Sequence, residues 1–134
     1  MRFMLDTNIC IYIIKKKPLQ VLNRFRTFDV ADIGISSITL SELEYGVEKS
    51  TKHEQNREAL MAFLGPLEIA PYDDLAAHHY GDIRALLEKT GRLVGAMDLL
   101  IAAHARSLSV PLVTNNVSEF KRVPGLSVEN WLRP

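Results

Sequence analysis

An internal disulfide is excluded, because Cys10 is the only cysteine of the chain. It falls within the apolar stretch Ile9-Cys10-Ile11 and reads as a small core residue, as expected of a protein kept in a reducing cytoplasm. No apolar run approaches the ~18 residues that a bilayer span needs. Asp6 interrupts the N-terminal apolar stretch too early for a signal peptide, so a cytoplasmic location is expected. Neither sign of charge is in excess: 16 Lys plus Arg balance 16 Asp plus Glu. No global positive field therefore marks a nucleic-acid binder, and such a role needs a local basic patch. Also missing are a glycine-rich phosphate loop, a zinc-ligand spacing among His53, His78, His79 and His104, and a nucleophilic triad.

What remains is an ordinary globular composition, 47% hydrophobic and 24% charged over 134 residues. That is enough chain for one domain, residues 1–134, with a real hydrophobic core. Phe3-Met4-Leu5 reads as a short buried strand. Thr7 or Asn8 would cap a helix through Ile14, which ends at Lys15-Lys16-Lys17-Pro18. A second helix covers Leu19 to Thr27, and Val30 to Ile35 fits a strand. Ser36 or Ser37 caps a helix running through Glu42 toward Lys49, and His53 to Leu64 is helical. Leu67 to Ala70 is strand-like, and Asp74 to Thr90 forms a long amphipathic helix stopped by Gly91. A helix from near Asp98 to Arg106, a strand at 110–114, a short helix at 117–121 and a final strand at 126–128 complete the series, with Trp131 closing the core. Strands alternating with helices imply an α/β fold, a parallel sheet covered on both faces, whose working site lies outside the carboxyl ends of the strands.

Carboxylates fall at such places. Asp6 follows the first strand, Glu42 sits in Ser41-Glu42-Leu43, Asp98 opens a helical run, and Asn115-Asn116 with Glu119 follows Leu112-Val113-Thr114. Each also has a structural reading: Asp6 as a turn or cap residue, Asp98 as an acid suited to a helix start, Asn116 with Glu119 as a capping box. Glu44 and Glu48 read as solvent-facing. Together the acids point to a concentrated negative site. Acids sharing a pocket raise one another's pKa unless a cation offsets the repulsion. Hard oxygen ligands select Mg²⁺ or Mn²⁺, and such sites serve phosphodiester hydrolysis.

Four ordered blocks then resemble the PIN-domain ribonucleases, and within them the VapC-like toxins of type II toxin–antitoxin systems. They are Phe3-Met4-Leu5-Asp6-Thr7-Asn8, the block from Ile35 to Gly46, the block from Asp98 to Ala105, and the block from Leu112 to Phe120. The resemblance implies a three-layer α/β/α sandwich with a mostly parallel central sheet and Mg²⁺- or Mn²⁺-dependent cleavage of RNA. It implies tRNA as substrate, initiator tRNA among the similar toxins, as well as homodimerisation and inhibition by a VapB-like antitoxin. That antitoxin inserts a C-terminal segment into the active-site groove and carries the DNA-binding domain, so contact with DNA is indirect.

By position, Asp6 and Asp98 are the principal metal ligands and Glu42 is the third acid. The sequence departs from the broader family pattern at Asn116, where many members carry an acid; Glu119, one turn later, is placed to compensate. Thr7 and Thr114 are hydroxyl partners behind the acids. Lys15, Lys16, Lys17, Arg24, Arg26, Lys121 and Arg122 are candidates for RNA backbone contacts, and each is equally readable as a solvated surface charge.

Two rival readings remain. Asp6 could accept a phosphoryl group covalently, although phosphatases of the haloacid-dehalogenase type place a second Asp where this chain has Asn8. Alternatively, the acids only cap helices in a non-catalytic partner-binding module.

Overall fold

A computed structural model describes residues 1–132. In chain order the elements are β1 (Phe3–Leu5), α1 (Thr7–Lys15), α2 (Leu19–Arg26), β2 (Ile33–Ser36), α3 (Ser37–Glu48), α4 (His53–Leu64) and β3 (Glu68–Ala70). They continue with α5 (Asp74–Thr90), α6 (Ala96–Leu108), β4 (Leu112–Val113), α7 (Val117–Phe120) and β5 (Val128–Glu129). The sheet order is β3-β2-β1-β4-β5, and every neighbouring pair is parallel.

Alternation along the strands divides the core. Phe3 and Leu5 of β1, Ile33 and Ile35 of β2 and Val113 of β4 face the layer that includes Ile9, Cys10, Val21, Leu43 and Leu60. Met4 and Leu112 point the other way, toward Ile83, Leu87, Leu99, Ala102 and Phe120. Helices α1 to α4 thus cover one face, α5 and α6 the other, giving the expected three-layer α/β/α sandwich. No helix among the described residues is long and apolar enough to cross a membrane.

The boundaries differ from the sequence expectation where side chains compete for backbone groups. Asp6, not Thr7 or Asn8, caps α1: its carboxylate accepts from Ile9 N at 2.9 Å. Asp29 accepts from Ala31 N and turns Val30–Asp32 into a single 3₁₀ turn, so β2 starts at Ile33 and runs through Ser36. Lys16 ends α1 in a left-handed conformation, φ 59°, before Pro18 is reached. Helix α6 begins at Ala96, which places Asp98 in its first turn rather than at its opening. The last strand lies at Val128–Glu129, slightly later than expected.

Trp131 closes the core from the C-terminal side. It is 2% exposed, stacks on Phe28 at 5.3 Å and meets Phe3 edge-on at 5.8 Å. Truncation there would leave an aromatic-sized cavity beside β1. Trp131→Ala should lower the unfolding free energy by about 3–5 kcal/mol in urea titrations, and a loss under about 1 kcal/mol would show that this end of the chain is not part of the core.

Candidate active site

Chain order creates the site. From β1 the chain builds outward through β2 to β3, then returns to place β4 and β5 on the opposite side of β1. The reversal leaves a crevice at the carboxyl ends of β1 and β4, the usual ligand position in open parallel sheets. Asp6 follows β1 directly and Thr114 follows β4. The backbone links the two ends, Asp6 N donating to Val113 O at 3.0 Å.

Asp6 is only 4% exposed. Burial pushes its carboxyl up to about 6, aided by the charge of Glu42, although the Thr114 hydroxyl and the N–H groups of Ile9 and Asn8 favour the ionised form. Asp98 enters the same crevice from the first turn of α6. Burial again comes first in raising it to about 6, followed by the charge of Glu119, a hydrogen bond to Glu119, and the charges of Asp6 and Glu42. Asp98 thus feels the charges of the other three acids, and Asp6 that of Glu42. Glu42, on α3, accepts a hydrogen bond from the Thr7 hydroxyl, which ties the helix after β2 to the helix after β1.

Asn116 and Glu119 do not form the capping box that their spacing permits. The Asn116 side chain gives α7 no cap; its amide donates to Glu119 instead. Glu119 Oε1 also accepts from Gly95 N at 2.9 Å, across from the loop that precedes α6. A Cβ on Gly95 would lie 3.6 Å from Glu119 Oε1 and 3.8 Å from Asp98 Oδ2, so the backbone here lines the acids directly. Glu119 is thus a member of the acidic group, and Asn116 holds it.

Several other expectations resolve in place. Thr114, fully buried, hydrogen-bonds Asp6 and also accepts from Asn116 N at 2.9 Å. Glu44 and Glu48 turn away from the crevice and pair with Arg57 of α4. Among the basic candidates, Lys15, Lys16 and Lys17 are exposed. Arg122 is engaged with Leu93 O at 2.7 Å, and Arg24 faces Glu129 at 4.0 Å. Three features escaped the sequence reading: the Gly95 N–H, the hydrogen bond from Asn115 to the Tyr12 hydroxyl at 2.8 Å, and that between His104 and Ser36 at 2.7 Å. Each joins residues far apart in the chain, and no local spacing signals them.

Beside Glu42 an open groove of about 400 Å³ runs between α1, α3 and α4, lined by Ile11, Ile14, Leu43, Val47 and Leu60. It is mainly apolar, and Glu42 is the one acid of the four that lines it.

The donor set suits a hard divalent cation: carboxylates, an amide and hydroxyls, with the thiol of Cys10 buried away from solvent. Among the described residues no three His, Cys, Asp or Glu side chains close a coordination shell as they stand.

The PIN domain family model matches residues 3–126. The chain is a PIN-domain protein. Within the family it is similar to the tRNA(fMet)-specific endonuclease VapC of Shigella flexneri, 49% identical over 98% of each chain. It is likewise similar to ribonuclease VapC2 of Haemophilus influenzae, 48% identical over 98% of this chain and 99% of that one. The crystal structure of Rickettsia felis VapBC2 bound to a promoter DNA fragment superposes with a TM-score of 0.90 at 48% identity, covering 98% of this chain and 99% of that one. The VapC-like resemblance read from the four sequence blocks therefore holds over essentially the whole chain, and the PIN sandwich is the fold observed.

The raised acids carry a pH signature. A carboxyl that keeps its proton to about 6 in the fold, against an ordinary 3.8, stabilises the protein fully below the lower value and loses that contribution as pH rises through about 6. For the buried Asp6 this is about 3 kcal/mol. With chelator present, Asp6→Asn should therefore be more stable than wild type at pH 8, and the gain should vanish toward pH 4. Titrations common to both proteins, such as that of buried His104, cancel in this difference. A gain independent of pH, or a loss at pH 8, would contradict the burial account of Asp6.

Proposed function

We propose that the chain is a metal-dependent endoribonuclease toxin of a type II toxin–antitoxin system that hydrolyses RNA phosphodiester bonds, with initiator tRNA as its substrate. The observation that carries this reading is the convergence of Asp6, Glu42, Asp98 and Glu119 on one crevice at the switch point of the sheet. The substrate follows the Shigella flexneri relative, which is described as tRNA(fMet)-specific.

Asp6 and Asp98 would hold Mg²⁺ or Mn²⁺, with Glu42 and Glu119 completing the site directly or through water. When bound, such a cation polarises the scissile phosphate and lowers the pKa of an attacking water. The chain's own residues have separate tasks. Thr114 and the Ile9 N–H orient the Asp6 carboxylate, Thr7 orients Glu42, and the Asn116 amide with the Gly95 N–H orients Glu119. Asp98, raised to about 6 by burial and by Glu119 beside it, can hold a proton near neutral pH. The exposed Lys15, Lys16 and Lys17 at the end of α1 supply positive charge for the RNA backbone despite a net charge of zero.

The apolar groove between α1, α3 and α4 fits the inserted segment of a VapB-like antitoxin, which would reach Glu42 from that side. A complex of toxin and antitoxin on promoter DNA, as in the Rickettsia felis structure, supports DNA contact through the partner. The phosphoacceptor alternative has less support, because the buried Asp6 carboxylate is committed to capping α1.

Asp98→Asn should abolish cleavage of initiator tRNA, by about 10³-fold or more, while the melting temperature with chelator stays at or above that of wild type. Cleavage within about tenfold of wild type would refute the assignment. Glu119→Gln should harm cleavage more than Asn116→Ala, because the first removes a charge from the crevice and the second only an orienting amide. Negligible losses in both would return the pair to a structural role.

A further inference from the structure

One buried polar contact has no part in the chemistry above. Ser36 ends β2, is fully buried and caps α3, accepting from Ile38 N at 3.0 Å. Its hydroxyl also lies 2.7 Å from Nδ1 of His104 on α6, a side chain only 1% exposed. The Ser36 oxygen accepts the Ile38 N–H, and we assign its own proton to the His104 contact, which gives that buried proton the acceptor it needs. The imidazole then accepts at Nδ1 and carries its own proton on Nε2, a neutral form that burial also favours. Tyr72 packs against the ring edge-on at 5.5 Å, and its backbone N–H donates to Ser37 Oγ at 3.0 Å, so the ring is held on a second side by the same helix start.

The placement matters because of what the two helices carry. Helix α3 delivers Glu42, six residues beyond Ser36, and α6 delivers Asp98, six residues before His104. Each acid therefore rides about 9 Å along its helix from the Ser36–His104 joint. A tilt of about 5° there moves an acid by about 0.8 Å, more than the about 0.5 Å that a working constellation tolerates. Thr39, also fully buried and nearly one turn further along α3, has no hydrogen-bond partner among the described residues, so it supplies no second polar anchor.

We infer that the Ser36–His104 hydrogen bond is a positioning strut that fixes the separation of Glu42 and Asp98 and so sets the affinity of the acidic crevice for a divalent cation. The inference rests on the metal-dependent reading proposed above. His104 touches neither substrate nor cation; it acts through the frame of two helices, much as hydrogen bonds behind metal ligands tune affinity in other sites.

The test is Mn²⁺ binding to the full chain without RNA, followed by the paramagnetic resonance of free Mn²⁺, with melting temperature recorded for each variant. His104→Leu keeps apolar bulk but cannot accept a hydrogen bond, and Ser36→Ala removes the donor. Each should weaken Mn²⁺ binding about tenfold or more, and the double variant should be no worse than either alone. His104→Asn places an amide oxygen where Nδ1 stood and should stay within about threefold of wild type. The inference is overturned if Ser36→Ala binds Mn²⁺ within about threefold of wild type, or if His104→Asn is as damaging as the loss of the bond. Should His104→Leu fail to fold, Ser36→Ala against His104→Asn decides alone. Failure of the underlying reading looks different: wild type would not bind Mn²⁺, or Asp98→Asn would bind it equally well.

Discussion

Four carboxyl groups held in one crevice repel one another, and nearly every local feature of the site answers that repulsion. Burial and mutual charge hold Asp6 and Asp98 near 6, far from the ordinary carboxylate range. An arrangement that costs folding energy persists only when the surrounding structure over-determines it. Here the over-determination is visible: the acids come from the end of β1 and from α3, α6 and α7, each fixed by the central sheet or by packing against it. The Thr7, Thr114 and Asn116 side chains and the Gly95 N–H hold the carboxylates where they are. A divalent cation would convert this repulsion into attraction, so the arrangement that strains the free protein is the one that would bind the ion.

The sheet explains why such different parts of the chain meet. The central strand β1 lies between β2 and β4, which the chain reaches before and after its return across the sheet, and Asp6 sits at its carboxyl end. Displacing α6 relative to α3 would separate Asp98 from Glu42 without disturbing either helix. That is why a buried link between their supporting elements, rather than further contacts at the crevice, is where control of geometry resides. The apolar groove on the α1–α3–α4 side gives a protein partner access to Glu42 without crossing the α6 side.

Much of this was legible in the sequence. The strand-then-acid pattern at Asp6, the order of alternating elements and the four blocks were sufficient for the sandwich, and they picked out the four acids of the proposed site. What was hidden depended on distance. Whether Asn116 and Glu119 capped α7 or entered the crevice turned on Gly95, 24 residues from Glu119. The Ser36–His104 bond spans 68 residues, and nothing in an apolar helical run distinguishes a histidine that packs from one that also accepts a hydrogen bond. The 3₁₀ turn at Val30–Asp32 was missed for the opposite reason: Asp29 made a local bond that β propensity does not register. Capping likewise went to Asp6 rather than Thr7 or Asn8 because α1 starts at Thr7, and the strand's end at Leu5, expected and observed, leaves Asp6 in the cap position.

The most direct measurement is anomalous diffraction from crystals of the full chain soaked in Mn²⁺. An anomalous peak between Asp6 and Asp98, within coordinating distance of both, is the predicted result. A peak away from both residues, or none at a Mn²⁺ concentration that supports RNA cleavage, would contradict the claim that the buried acids exist to hold a cation.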